Sequence, residues 1–328
     1  MIFTLEFMQR ALIAAAIAGV VSPTVGAFIV QRRLSLLGDG LGHVAIAGVG
    51  LALATGMAPL PVAVVVAILG AVIIELLRSS GRASADTAMA VIFYGGLATG
   101  ILLAGMVGQG AGTLSSYLFG SLLSVEALDI WLIGILGAAI VVLVFGLFKQ
   151  LFAVSSDEDY AHTLGLNVRF YNLLIVVLAA CTITVSMRTV GLLMVSALMV
   201  VPVAASNNLT RGFSRSVLVA MGLGLFSALA GVIGSFYLDA PPGSLIVVIT
   251  IICFVISLPL GKQLLRRRRG LQVVEAVEPP PPHIPADEDC EHVHGPGCGH
   301  RAVIHGSHVD YLVDGHRHAE HEGHYDEH

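Results

Sequence analysis

As far as Lys262 the chain alternates long apolar stretches with short polar breaks, and beyond Gln272 that alternation stops. A spanning helix needs ~20 mostly apolar residues to cross a hydrocarbon layer ~30 Å thick. Stretches near 8–30, 37–56, 59–77, 87–107, 127–148, 170–188, 190–206, 216–237 and 243–261 meet or approach that length. They predict an all-α integral membrane protein of eight to nine helices, 190–206 being the shortest. The run 112–125, GTLSSYLFGSLLSV, is apolar but too short to cross. It is predicted as an interfacial or re-entrant segment packed against protein, because irregular backbone is not tolerated against lipid.

Charge placement gives this pattern a direction. Alternate breaks carry Arg32 and Arg33, Arg78 and Arg82, Lys149 and Arg169, Arg211 and Arg215, then Lys262 with Arg266 to Arg269, whereas the opposite breaks hold only Arg10 and Arg188. Basic residues stay on the cytoplasmic side of short loops. Nine spans with the N-terminus outside and the C-terminus in the cytoplasm follow, and a re-entrant 112–125 segment preserves that parity. The first apolar run is too long for a signal-peptide core and contains Pro23, so it is expected to remain as an uncleaved helix. Pro23 and Pro202 are expected to kink their helices, and Gly38, Gly40 and Gly42 suit close helix contact.

Composition sharpens the class. With 56% hydrophobic residues, 12% charged and a mean hydropathy of +0.87, a cytosolic enzyme, a nucleic-acid binder and a secreted disulfide scaffold are all poor fits. The formal charge of −5 conceals a division, since twelve of the 22 acids lie beyond residue 270. Three regions result: a transmembrane domain over 1–262, a basic and proline-rich linker over 263–282, and a histidine-rich tail over 283–328.

Within the membrane part, 155–169 is the longest polar insertion. Ser155 with Glu158 forms a capping-box pattern, Asp157, Glu158 and Asp159 suit a helix N-terminus, and Gly165 can end the helix. A surface helix of about ten residues is expected. With Tyr160, Ala161 and Leu164 it offers a face on which a motor protein could dock, although a plain capped linker would read the same. The chain has no phosphate-binding loop of its own: Gly261-Lys262 is followed by Gln263 and lacks the upstream glycine. Any pumping would draw on hydrolysis by a partner.

The most informative polar residues are Asp39 and His43. Four apart, they share one helix face. Counted from Arg33 at ~1.5 Å per residue they lie about 9 Å and 15 Å deep, where an ionisable group is costly unless it faces water or partners. Carboxylate and imidazole are also suitable ligands for Zn²⁺, Mn²⁺ or Fe²⁺. The competing reading is a His–Asp hydrogen bond that locks two helices together. Glu75 and Asp86 are expected to pair with Arg78 or Arg82, and Asp239 lies in the turn YLDAPPG, where it faces the outside.

Taken in order, these motifs resemble the membrane permease subunits of bacterial ABC importers for zinc, manganese and related divalent metals. The resemblance runs through Arg32-Arg33, Gly38-Asp39-x-Leu41-x-His43, Asp86-Thr87, Tyr117-Leu118-Phe119-Gly120, Ala161-x-x-x-Gly165, Gly191-Leu192-Leu193 with Ala197, Pro202-Val203-Ala204-Ala205 and Pro241-Pro242-Gly243. It covers about residues 8–262. It implies a plasma (inner) membrane protein that pairs as a dimer, expected to be a homodimer. It also implies docking of two cytoplasmic ATP-binding subunits through the short helix, and delivery of metal by an extracytoplasmic binding protein. The family's acidic and histidine positions in the metal path fall on Asp39 and His43.

The tail departs from that pattern. Behind the stiff spacer Pro279 to Pro282 stand eleven of the thirteen histidines and two of the four cysteines. Candidate metal ligands are Cys290, His292, His294, Cys298, His300, His305, His308, His316, His318, His321, His324 and His328. HGSHVDY at 305–311 and HEGHYDE at 321–327 form an imperfect repeat. Few apolar residues occur here, so the tail is expected to lack order without metal. Imidazole with thiolate favours Zn²⁺ over Mn²⁺. Three readings of the tail follow: a sensor of imported zinc, a buffer, or a dispensable segment. Cys181 and Cys253 sit in apolar spans as packing residues.

The sequence therefore points to the permease of an ATP-driven zinc importer, itself not an enzyme and without a tightly bound cofactor, Zn²⁺ being cargo and tail ligand. Rival readings are a manganese or iron importer, an ATPase-independent transporter or channel, and a membrane-anchored metal buffer.

Overall fold

The structure, a computed structural model, describes residues 5–79, 85–107, 110–121, 127–271, 298–305, 308–313, 316–321 and 324–327. Twelve helices are present among the described residues: α1 (Glu6–Gln31), α2 (Leu37–Thr55), α3 (Pro59–Ser79), α4 (Ala85–Gly105), α5 (Gly110–Phe119), α6 (Ala127–Gly146), α7 (Phe148–Ser156), α8 (Glu158–Thr163), α9 (Val168–Ser186), α10 (Leu192–Leu209), α11 (Phe213–Leu238) and α12 (Pro242–Leu271). Each of the nine apolar stretches coincides with one helix. Among the described residues seven of these are long and apolar enough to cross a membrane; α4 and α10 offer shorter apolar runs, Met89–Gly105 and Met194–Leu209.

The core is apolar, and unlike that of a water-soluble bundle the exterior is apolar too. α1, α2 and α9 are mostly buried, while less than half of α3, α6, α11 and α12 is buried and they present Leu69, Trp131, Val142, Phe226 and Ile252 outward. An apolar exterior needs a hydrocarbon environment. α1 packs against α11, α10, α9 and α6, α2 against α4 and α3, and α3 against α9. Small residues permit the closest approach: a Cβ on Gly19 of α1 would lie 2.7 Å from the Gly224 carbonyl oxygen of α11. Between α1 and α9 the Ser22 and Ser186 hydroxyls bond at 3.0 Å. α1 and α10 continue as helices through Pro23 and Pro202, as α12 does through Pro259.

α5 is too short to cross: its ten residues rise ~15 Å. It packs on α2, α4 and α10, with Leu114 and Tyr117 buried, as the 112–125 segment was expected to do. Gly120, at φ +77°, follows it, and a Cβ there would lie 2.6 Å from the Thr189 carbonyl oxygen. The Ser121 N–H donates to the Arg188 carbonyl at 3.3 Å. Beside this seam the Arg188 guanidinium pairs with Asp129 at 2.8 Å and lies 4.8 Å from the centroid of the Tyr117 ring.

The chain divides into two units, Met1–Leu265 and Arg266–His328. In the second, the described residues 301–305, 308–313, 316–321 and 324–327 have extended backbone. Strands β1 (Arg301–His305), β2 (His308–Val313), β3 (His316–His321) and β4 (His324–Glu327) form an antiparallel sheet in the order β1-β2-β3-β4. The physical reason is locality. Only two residues separate successive strands, Gly306-Ser307, Asp314-Gly315 and Glu322-Gly323, and such pairs between β-prone residues are the strongest short-range hairpin signal. A count of apolar residues overlooks it. Cys290, His292, His294 and His328 lie outside the described residues.

Candidate functional site

α2 starts at Leu37 because Arg33 adopts a left-handed backbone, φ +59°, which breaks the run from α1. Asp39 and His43 are therefore the third and seventh residues of α2. At ~1.5 Å per residue they lie about 3 Å and 9 Å along it, shallower than a continuous helix from Arg33 would place them. Asp39 is half-buried and His43 is 7% exposed.

The two side chains are not bonded to one another. His43 Nδ1 lies 2.7 Å from the backbone carbonyl oxygen of Asp39, so the bond is internal to α2 and locks no second helix. A carbonyl only accepts, so Nδ1 carries the proton, and in the neutral ring the lone pair is on Nε2. Metal-bound histidines are commonly oriented by this same donation to a carbonyl. The imidazole packs against Phe93 of α4, with ring centroids 3.9 Å apart.

A cavity of about 240 Å³ opens at Asp39, lined by Leu36 just before α2, by Asp39 and Gly40 of α2 and by Met89, Phe93 and Tyr94 of α4. The glycines divide their tasks. A Cβ on Gly38 or Gly42 would press on Ser196 or Leu192 of α10 at 3.2 and 3.1 Å, whereas Gly40 has nothing within 4 Å. Two of the three bring helices together and the third leaves the cavity open. Asp39 and Phe93 line the cavity, and His43 packs against Phe93. Among the described residues no three His, Cys, Asp or Glu side chains gather as a metal cluster.

The docking loop differs from its expected form in one respect. Ser155 is a buried residue in the last turn of α7, and the cap of α8 is Asp157, whose carboxylate accepts from the Tyr160 N–H at 2.9 Å. Asp157 is extended, at φ −154° and ψ 109°, so one residue ends α7 and starts α8. The helix spans six residues, shorter than expected because Leu151, Val154 and Ser155 hold the preceding stretch in α7. Gly165, at φ +77°, closes it. Ala161 is fully buried, while Asp157, Glu158, Asp159, Tyr160 and Leu164 are exposed.

Glu158 joins this helix to the rest of the bundle. Its carboxylate accepts from Arg32 at 2.6 Å and from Asn172 of α9 at 3.2 Å, and lies 3.8 Å from Arg78 of α3. Arg78 also makes a two-pronged pair with Glu75 at 2.9 and 3.0 Å, as expected for that acid; the side chain of Asp86 and all of Arg82 lie outside the described residues. Burial holds the Arg32 guanidinium below its usual range, Arg78 adds repulsion, and Glu158 and Glu75 pull the other way. From sequence Arg32 serves as an orientation signal and part of the Arg32-Arg33 motif, and Arg78 as a partner for Glu75; the shared partner Glu158 was hidden because it lies 126 residues from Arg32.

Away from these elements, Asp239 caps α11 in a left-handed conformation. It lines a cavity of about 620 Å³ with Phe7, Phe119, Phe236 and Pro241. The buried Arg188–Asp129 pair was also missed, although two charges flanking apolar stretches are a signal of it.

Residues 4–261 match the ABC 3 transport family. The chain is 31% identical over 270 residues to the manganese transport system membrane protein MntC of Listeria innocua, covering 82% of this chain and 96% of that protein. It is 30% identical over 252 residues to the manganese import system permease protein ScaB of Streptococcus gordonii, covering 77% and 90% respectively. A chain of PsaBC from Streptococcus pneumoniae, solved in complex with Fab, superposes with a TM-score of 0.73 at 30% identity, over 80% of this chain and 96% of that one.

Proposed function

The chain belongs to the ABC 3 transport family, and from that premise we propose that it is the plasma-membrane permease subunit of an ATP-driven importer of a divalent metal ion. The observation that carries this reading is the coincidence, on α2, of an ionisable pair and an open cavity within a chain whose relatives are named manganese permeases. Manganese is the first reading of the cargo. Zinc is kept as the second because the tail is rich in imidazole.

In this mechanism the Arg-rich end faces the cytoplasm. A binding protein delivers the ion over the opposite end, where Asp239 and Pro241 line the larger cavity. Asp39 offers an oxygen and His43 its Nε2, once Phe93 swings aside. Two ligands are too few for an ion that takes four to six. A second copy of the chain related by a two-fold axis would bring the same pair again, so the cavity between α2 and α4 is assigned to the dimer axis. Two ATP-binding subunits press on α8 through exposed Tyr160 and Leu164. Glu158 passes that movement to Arg32, seven residues before Asp39.

The test is accumulation of ⁵⁴Mn²⁺ and ⁶⁵Zn²⁺ at limiting concentration, in cells lacking their own importers and supplied with this chain, its ATPase and its binding protein. Uptake of one or both ions that needs the chain, and falls at least about tenfold in His43→Ala at equal membrane level, supports the proposal. Normal transport by the variant removes His43 from the path. Which isotope accumulates decides the cargo.

A further inference from the structure

The cavity of about 620 Å³ is walled by Phe7 of α1, Phe119 of α5, Phe236 of α11 and the turn Asp239, Pro241 and Pro242 that leads into α12. Its volume is that of a ligand pocket, ~300–1,000 Å³. The Phe7 and Phe236 ring centroids are 6.5 Å apart, while Phe119 and Phe236 remain 46% and 39% exposed. Asp239 is exposed beside them. It holds a left-handed backbone, φ 49° and ψ 43°, with its own N–H and that of Ala240 donating to the Ser235 carbonyl. Glycine would take this conformation without strain, yet the position carries a carboxylate. The wall is firmly seated, since a Cβ on Gly243 would lie 3.0 Å from the Phe119 carbonyl oxygen.

The charges nearby leave this carboxylate unbalanced. Arg10 pairs with Glu6 at 3.1 Å and Arg188 with Asp129 at 2.8 Å, whereas Asp239 has no cationic partner among the described residues. Resting on the reading that this end receives the binding protein, we infer that the cavity seats a basic side chain, lysine or arginine, projecting from that protein. A cation within ~6 Å of an aromatic centroid is attracted by the ring quadrupole, and Asp239 supplies the counter-charge. An acidic side chain would meet repulsion from Asp239 and no backbone donor from Pro241 or Pro242, which lack an N–H. A purely apolar one would cover the carboxylate without pairing it. One carboxylate with no imidazole or thiolate in the lining is a poor seat for a bare transition-metal ion.

The experiment is titration of the full chain and its ATPase, held in nanodiscs of phosphatidylglycerol so that no lipid ammonium group competes, with the metal-loaded binding protein. Affinity is read at about 0.1 M and about 1 M salt, between which the Debye length falls from ~10 Å to ~3 Å, in variants matched to wild type by melting temperature. Asp239→Asn weakens binding at least about tenfold at low salt, and the difference narrows at high salt. Phe236→Leu, which keeps an apolar side chain and removes the ring, weakens it about threefold to tenfold. Glu6→Gln, an equal change of charge outside the cavity, leaves affinity within about twofold. Unchanged affinity in either cavity variant overturns the inference while leaving delivery by a binding protein intact. Equal weakening in Glu6→Gln overturns it in favour of a diffuse field, and tighter binding by Asp239→Asn in favour of an acidic partner group. Failure of the wild type to bind overturns the delivery reading, and the inference with it.

Discussion

The Asp39 carbonyl decides which nitrogen of His43 is free, and with it what a substitution there should do. His43→Gln keeps volume but cannot offer an imidazole lone pair, while Asp39→Asn keeps shape and removes the charge. Both are expected to lower metal uptake at least about tenfold with little change in the melting temperature of the detergent-solubilised chain, since neither side chain bonds the other. A large fall in melting temperature without loss of uptake would mark them as packing residues. Depth in an apolar stretch made this pair legible in the sequence. Phe93 was not legible, because an aromatic in an apolar run reads as ordinary packing until the fold brings it to 3.9 Å from the imidazole.

At the scale of elements, one carboxylate of α8, Glu158, reaches Arg32, Asn172 and Arg78, while Ala161 is buried beside it. Glu158→Ala withdraws the partner of Arg32, whose side chain is 4% exposed. Breaking a fully buried pair costs ~3–5 kcal/mol. Here about 1–3 kcal/mol is expected, because the Glu158 side chain is 46% exposed and screened by solvent. The variant should still co-purify with its ATPase through Tyr160 and Leu164, yet import metal slowly; unimpaired import would place the coupling elsewhere. The nine apolar stretches were legible because membrane helices are written locally in twenty-residue runs. The α7–α8 break was not, since Asp157 and Ser155 are both good caps and only the buried face of α7 chooses between them. The tail sheet was missed for a related reason: apolar content was weighed, whereas Asp314-Gly315 and its neighbouring two-residue gaps carried the signal.

Across the whole molecule the two compact units separate at about Leu265, so a chain ending at Leu271 should insert, fold and retain basal uptake. Its Zn²⁺ capacity should fall, because eleven of the thirteen histidines are removed, and loss of basal uptake with the truncated chain stably inserted would tie the tail to transport itself. The seam at α5 has a consequence for how such a chain is made. Gly120, Ser121 and Asp129 rest on residues 188–191, which are synthesised some 70 residues later. At ~5–20 residues per second the ribosome needs about 4–14 s to supply them. During that interval α5 has α2 and α4 to rest on but not α10, and Asp129, in the first turn of α6, is without its counter-charge. The first half of this protein is therefore inserted provisionally, and its arrival at the native arrangement is timed by the emergence of Arg188.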